Sequence, residues 1–281
     1  MSPLKPIKTF RDLLSFLTII PVGGKEDFIF TTAEHVYLFP IIGGFIGALA
    51  AAYFLGAGYI VRFGIGLVNQ LIALPTDLLS RLTVAAMTVA FLLVITGLQH
   101  FDGLIDLGNA VGSGNLHDRK MVAHAWTVTK AGAVLAIAVE ATAFISLFFI
   151  FSPLLAFVGI ITAEVSAKLA MVTIVWAGKP THKGLGSVFL SKAKKEINII
   201  AYALSIVIVY PFFAYALNPV LGLVGVGIVL VSIPVAFVMG KVSENVFGGV
   251  SGDTIGATNE VARAVTLILI AIITVVLAVL M

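Results

Sequence analysis

The 281-residue chain is 60% hydrophobic and 11% charged, carries no cysteine and has a formal net charge of +3. Soluble domains carry roughly 25% charged residues, so this composition excludes one and identifies a polytopic membrane protein. The missing cysteine rules out disulfides, thiolate metal sites and a cysteine nucleophile. Lysine and arginine placed by membrane topology explain the positive charge better than nucleic-acid binding does.

In chain order, the basic start MSPLKPIKTFRDLLSFLTIIPVGG holds an apolar run of only about 10 to 14 residues, too few to span a bilayer. It lacks a small-residue cleavage site and predicts an interfacial or re-entrant helix. Seven apolar runs of spanning length follow, at about 38–62, 80–100, 128–151, 154–177, 197–217, 220–240 and 264–281. Pro153 and the Asn218-Pro219 pair sit in very short connections and predict two tight helical hairpins. Gly43, Gly44, Gly47, Gly56 and Gly58 crowd the first span, where small residues let helices approach. The expected fold is all-α: one integral membrane helical bundle over residues 1–281, with about seven transmembrane spans.

Charge sets the orientation. Lys5, Lys8, Arg11 and Lys25, then Arg119, Lys120 and Lys130, then Lys179, Lys183, Lys192, Lys194 and Lys195, then Lys241 and Arg263, all fall on one side of a seven-span chain. Arg62 and Arg81 fall on the other. The positive-inside rule makes the first side cytoplasmic, which predicts a multi-pass protein of the cell membrane with its long polar loops, and its active face, inside.

Those loops carry the chemistry. In QHFDGLIDLGN, 99–109, Asp102 and Asp106 are one helical turn apart and share a face, with His100 beside them. In FGGVSGDTIGATNEVAR, 247–263, glycines surround Asp253, and Asn259, Glu260 and Arg263 follow. Asp253 read blandly is the N-cap of the last helix. Two glycine-flanked acidic motifs at cytoplasmic span ends can jointly build an oxygen-ligand site for magnesium from Asp102, Asp106 and Asp253, with lysines contacting phosphate. Such a site suits transfer of a phosphate-linked group. The basic loop KPTHKGLGSVFLSKAKKE, 179–196, offers Lys179 and Lys183 as diphosphate contacts and a short glycine turn at Gly184 and Gly186. Within the spans, Glu164 and Lys168 read as a self-neutralising pair near a cytoplasmic end. Glu140 has no sequence neighbour to pair with and requires a proton or a partner on another helix.

Together these motifs resemble one family, the cobalamin synthases or adenosylcobinamide-GDP ribazoletransferases. FLTIIPVG, YLFPIIGGFIG, TGLQHFDGLIDLGNAVGSG, GLGSVF and GGVSGDTIGATNEVAR are similar, in order, to the family's segments over most of the chain. The resemblance implies a magnesium-dependent membrane enzyme that joins adenosylcobinamide-GDP to α-ribazole or its 5′-phosphate and releases GMP. It carries Asp102, Asp106 and Asp253 over as acidic positions and Asn259 and Glu260 as motif positions, with Arg263 beside them. Catalysis is expected from Asp106 as general base with Asp102 and His100 nearby. Diphosphate and substrate contacts are expected from Lys179, Lys183, Asn259, Glu260 and Arg263.

Two positions depart from the family pattern. Asn109 stands where a third acid is usual, and Ala125 where an Asp is usual, so a site weakened in metal ligands is expected unless Asp118 fills the gap. The alternatives are a CDP-alcohol-type phosphotransferase, whose Ala-Arg and later paired aspartates are not found here, and a secondary transporter, which would need ionisable groups at midplane. The lipid bilayer is an expected partner and nucleic acid is not; a homo-oligomer is compatible with the sequence.

Overall fold

The structure, a computed structural model, describes residues 5–23, 28–123, 125, 127–181, 185–193 and 195–280. Among them the chain forms α1 (Lys5–Leu17), α2 (Phe28–Glu34), α3 (Phe39–Asn69), α4 (Thr76–Ile95), α5 (Gln99–Val111), α6 (Leu116–Ala123), α7 (Lys130–Phe149), α8 (Pro153–Ala177), α9 (Leu185–Lys192), α10 (Ile199–Ala216), α11 (Pro219–Leu230), α12 (Ser232–Phe247) and α13 (Gly252–Leu280), with no β-strand. Seven segments are long and apolar enough to cross a membrane: Val36–Asn69, Thr76–Ile95, Lys130–Phe149, Pro153–Ala177, Glu196–Ala216, Pro219–Phe247 and Gly252–Val279. That is the expected number. The sixth span is α11 followed directly by α12.

Helix α8 is the axis of the bundle. It is buried along almost its whole length, and α3, α10, α12 and α13 pack around it. Glycine permits the closest of these crossings. A Cβ on Gly43 would stand 2.6 Å from the Glu164 carbonyl oxygen, and one on Gly47 would stand 2.7 Å from the Ile161 Cα. Gly56 and Gly58 face open space, so only the start of the glycine-rich span serves helix packing.

Local sequence explains the helix starts. Ser152 accepts from the Leu155 amide, Asn218 from the Leu221 amide and Thr129 from the Gly132 amide, and Pro153 and Pro219 occupy first-turn positions where no amide donor is needed. Helix α1 buries Leu13, Leu14 and Leu17 and exposes Ile7 and Phe10. Its 13 residues are too few to cross a bilayer, as the interfacial or re-entrant reading requires.

Four expectations need correction. The α10–α11 hairpin packs as expected, but α7 and α8 barely touch, because α13 lies against both. The second span stops at Ile95, and the chain breaks at Gly97 (φ 66°) and Leu98 (φ 60°) before α5 begins, so the paired acids lie on a separate helix. The last helix starts at Gly252, well before 264, because the polar residues of its first turns find partners inside the protein. Its cap is Ser251, whose Oγ accepts from the Thr254 amide while the Thr254 Oγ1 accepts from the Ser251 amide. Asp253 sits within the first turn, where a carboxylate complements the helix dipole.

Candidate active site

Helix α5 is wedged between α7 and α13. Along α13 it runs antiparallel, with Gly103 opposite Asp253 and His100 opposite Gly256. A side chain on Gly103 would collide with the Asp253 backbone, and a Cβ on Gly256 would lie 3.1 Å from the His100 Cα. The two glycine-flanked acidic motifs therefore meet because their glycines remove the bulk between them.

Above this crossing lies a cavity of about 580 Å³. One side carries Gln99, His100, Asp102, Gly252 and Asp253. An aromatic cluster also lines it: Phe16 from α1, Phe28 from α2, Phe39 from α3 and Phe189 from α9. Phe16 and Phe189 stack with ring centroids 4.9 Å apart. Gly186 also lines the cavity and touches the Ser251–Gly252 backbone. Sequence reasoning missed the aromatic wall, although Phe16, Phe39 and Phe189 all stand inside the motifs it quoted.

Asp106 lies one turn beyond Asp102, half-buried. Burial, and then the charges of Asp253 and Asp102, push its carboxyl up to about 7. Asp102 and Asp253 therefore lie near enough to Asp106 for their charges to act on it. Among the described residues no three His, Asp or Glu groups are close enough to form a ready-made metal cage. Magnesium is usually held by one or two carboxylates, with water and substrate phosphate completing the shell. Asp102 and Asp253 line the cavity and, among the described residues, pair with no cation. That fits this mode and not an all-protein cage, while Asp106 stands one turn behind them, outside the lining.

Directly beneath the cavity is a buried polar network. The Arg263 Nε donates to Glu164 Oε1 at 2.5 Å, and Arg263 Nη1 donates to Glu260. Lys168 Nζ donates to Asn259 Oδ1 at 2.6 Å and stands 3.6 Å from Glu164 Oε2. Asn259 Nδ2 donates to Glu260 Oε1 at 3.1 Å. Glu140 from α7 lies beside Glu260, with Arg263 and Glu164 near it, so its partner is on another helix. Glu164 and Lys168 sit mid-helix within this network and are more than the isolated pair expected near a helix end. Burial, reinforced by the Lys168 and Arg263 charges, holds the His100 imidazole well below the ordinary histidine range. His100 is therefore a neutral group bridging network and cavity, its Nδ1 3.8 Å from Glu260 Oε1.

This geometry redistributes the expected roles. Asn259, Glu260 and Arg263 are at most 1% exposed and line no part of the cavity; they brace α13 from behind. Lys179 is exposed outside the cavity, and its carbonyl accepts from the Val250 amide. Lys183 and Gly184 lie outside the described residues.

Asn109 is no vacant ligand position. Buried at 1% exposure, it accepts from the Thr129 amide and hydroxyl at 2.9 and 2.8 Å and donates to the Thr127 carbonyl at 2.8 Å. It fastens the entry of α7 to α5. Ala125 is exposed at the end of α6, and Asp118 is engaged with Asn115 at the start of that helix. Neither lines the cavity.

A family model described as cobalamin-5-phosphate synthase matches residues 9–271. The chain is 31% identical over 266 residues to an adenosylcobinamide-GDP ribazoletransferase of Methanocella arvoryzae, covering 92% of each chain. It is 30% identical over 272 residues to one of Halorubrum lacusprofundi (93% and 95% covered) and 28% identical over 282 residues to one of Methanosarcina barkeri (94% and 91%). No solved structure matches it.

Proposed function

The chain belongs to the cobalamin-5-phosphate synthase family, and on that footing we propose that it joins adenosylcobinamide-GDP to α-ribazole, or its 5′-phosphate, with release of GMP. The family assignment removes the CDP-alcohol phosphotransferase and transporter alternatives. One observation carries the reading: five motif segments spread from Phe16 to Gly256 each send at least one residue to the same cavity of about 580 Å³.

In the proposed reaction a ribazole hydroxyl attacks the cobinamide-bound phosphorus. A new O–P bond forms, the bond to the bridging diphosphate oxygen breaks, and GMP departs with that oxygen. The proton of the attacking hydroxyl passes to the acidic cluster, where Asp102 faces the cavity and Asp106, one turn behind it with its carboxyl raised to about 7, is the assigned acceptor. Asp102 and Asp253 would hold magnesium, which when bound neutralises charge on phosphoryl oxygens. His100, kept neutral, hydrogen-bonds substrate without adding positive charge beside the metal. The aromatic wall excludes water from the reacting phosphate and takes the apolar bulk of a large amphipathic substrate. Charge asymmetry supports placing this cavity at the cytoplasmic face; reporter fusions at Asn115 and Lys192 should read inside, and a fusion at Gln70 outside.

The deciding experiment incubates purified protein with adenosylcobinamide-GDP, α-ribazole 5′-phosphate or α-ribazole, and magnesium. Formation of cobalamin or its phosphate together with GMP is expected. GMP release without a corrinoid product, or no turnover with either nucleoside, would refute the assignment.

A further inference from the structure

At the opposite end of the bundle a second cavity, of about 200 Å³, opens between α3, α4 and the α7–α8 connection. Its floor is apolar, with Phe54, Leu55, Val84, Leu147 and Ile150, and its rim carries Arg62 and Arg81. Among the described residues these are the only lysine or arginine side chains near the face that bears connections 70–75, 150–152 and 217–218. Both pair with Asp77, at 3.0 Å from Arg62 and 2.9 Å from Arg81. Two cations against one carboxylate leave one positive charge uncompensated. Arg81 is held in place, its guanidinium 4.8 Å from the Phe148 ring centroid and 5.6 Å from that of Phe151. Ser80 lines the same cavity at 2% exposure, and its Oγ is buried with no hydrogen-bond partner. An unpaired buried hydroxyl is costly and awaits an acceptor.

We propose that this cavity binds the headgroup of an anionic phospholipid, with Arg62, Arg81 and the Ser80 hydroxyl on the phosphate and a hydrocarbon chain along the apolar floor. The site joins a net positive rim to an apolar floor, beside exposed side chains of an apolar span, such as Tyr59 and Ile60. A free phosphate would use the rim and leave the floor bare. A zwitterionic lipid would bring its own cation against the arginines. The feature is separate from the acidic cavity and independent of the reaction assigned to it.

The test uses the full chain in mild detergent, stripped of lipid and titrated with phosphatidylglycerol or phosphatidylcholine under native mass spectrometry. Phosphatidylglycerol should be retained about tenfold more tightly, roughly the weight of one charge-assisted hydrogen bond. Arg62→Gln, at an exposed position that does not threaten folding, should abolish the preference. Ser80→Ala should weaken phosphatidylglycerol while keeping the charge. Equal retention of both lipids, or a preference unchanged in both variants, overturns the proposal. Displacement of the lipid by inorganic phosphate would reassign the rim to a free anion and overturn it equally.

Discussion

Glu164 on α8 and Arg263 on α13, 99 positions apart in the chain, meet at 2.5 Å with neither side chain reaching solvent. Around them three carboxylates, Glu140, Glu164 and Glu260, face two cations, Lys168 and Arg263. Removing one partner of such a pair strands the other in a low-dielectric interior and costs about 3–5 kcal/mol. Arg263→Gln should therefore be the more damaging single change, since it leaves three carboxylates against one lysine. Glu164→Gln with Arg263→Gln should cost less than the sum of the two. Thermal melts of detergent-solubilised protein give the coupling, and strict additivity would mean that the pair contributes nothing as a pair.

Asn109→Asp should lower stability by about 1–3 kcal/mol, the cost of losing a buried hydrogen bond and setting a carboxylate against a carbonyl oxygen. The amide nitrogen now donates to Thr127, and no carboxylate oxygen can. The family resemblance implies instead that an acid here, together with one at position 125, lowers the magnesium requirement. A magnesium titration of activity separates the two: a lower magnesium requirement in the variant would show that position 109 does reach the metal.

The Asp106 carboxyl yields a proton-linked prediction. Its folded value of about 7 lies above the ordinary 3.8, so in metal-free protein the native state holds a proton that the unfolded chain has already released. The favourable contribution of that proton is complete below 3.8 and is lost as pH rises towards 7. A divalent cation favours the carboxylate and should expel the proton. Weakly buffered protein titrated with magnesium near neutral pH should therefore acidify, while Asp106→Asn should not. Equal proton release from both would place the cation elsewhere.

Gly103→Ala should abolish turnover, because the new methyl meets the Asp253 backbone and drives α5 away from α13. Gly56→Ala, where nothing lies within 4 Å, should leave turnover unchanged. Activity retained in Gly103→Ala would show that the tight crossing is not needed to assemble the acids.

Hydropathy made the seven spans legible, and the ordered motifs made the family legible. The boundary at Gly97 and Leu98 was hidden because the apolar run continues through it; only a backbone turned to positive φ reveals the break. The start of α13 was hidden for the opposite reason. Asn259, Glu260 and Arg263 read as loop residues because polar side chains usually face water, yet here each finds a partner inside the bundle. Beside the contacts they make with one another, their partners Lys168 and Glu164 lie on α8, with Glu140 of α7 and His100 of α5 near Glu260, and pairing across such separations leaves no mark in local sequence. The aromatic wall was invisible as a wall, since phenylalanine is unremarkable in a membrane chain until its neighbours in space are known.

The position of α13 between α7 and α8 also has a meaning in time. Those two helices leave the ribosome long before α13, joined by a short connection, and must remain apart until it arrives. Until then Glu164 and Lys168 have only each other, Glu140 lacks the Glu260 and Arg263 groups that lie near it, and the acidic cavity lacks Asp253. The last helix thus closes the charge network and completes the cavity in one event, so a chain that stops before it has neither.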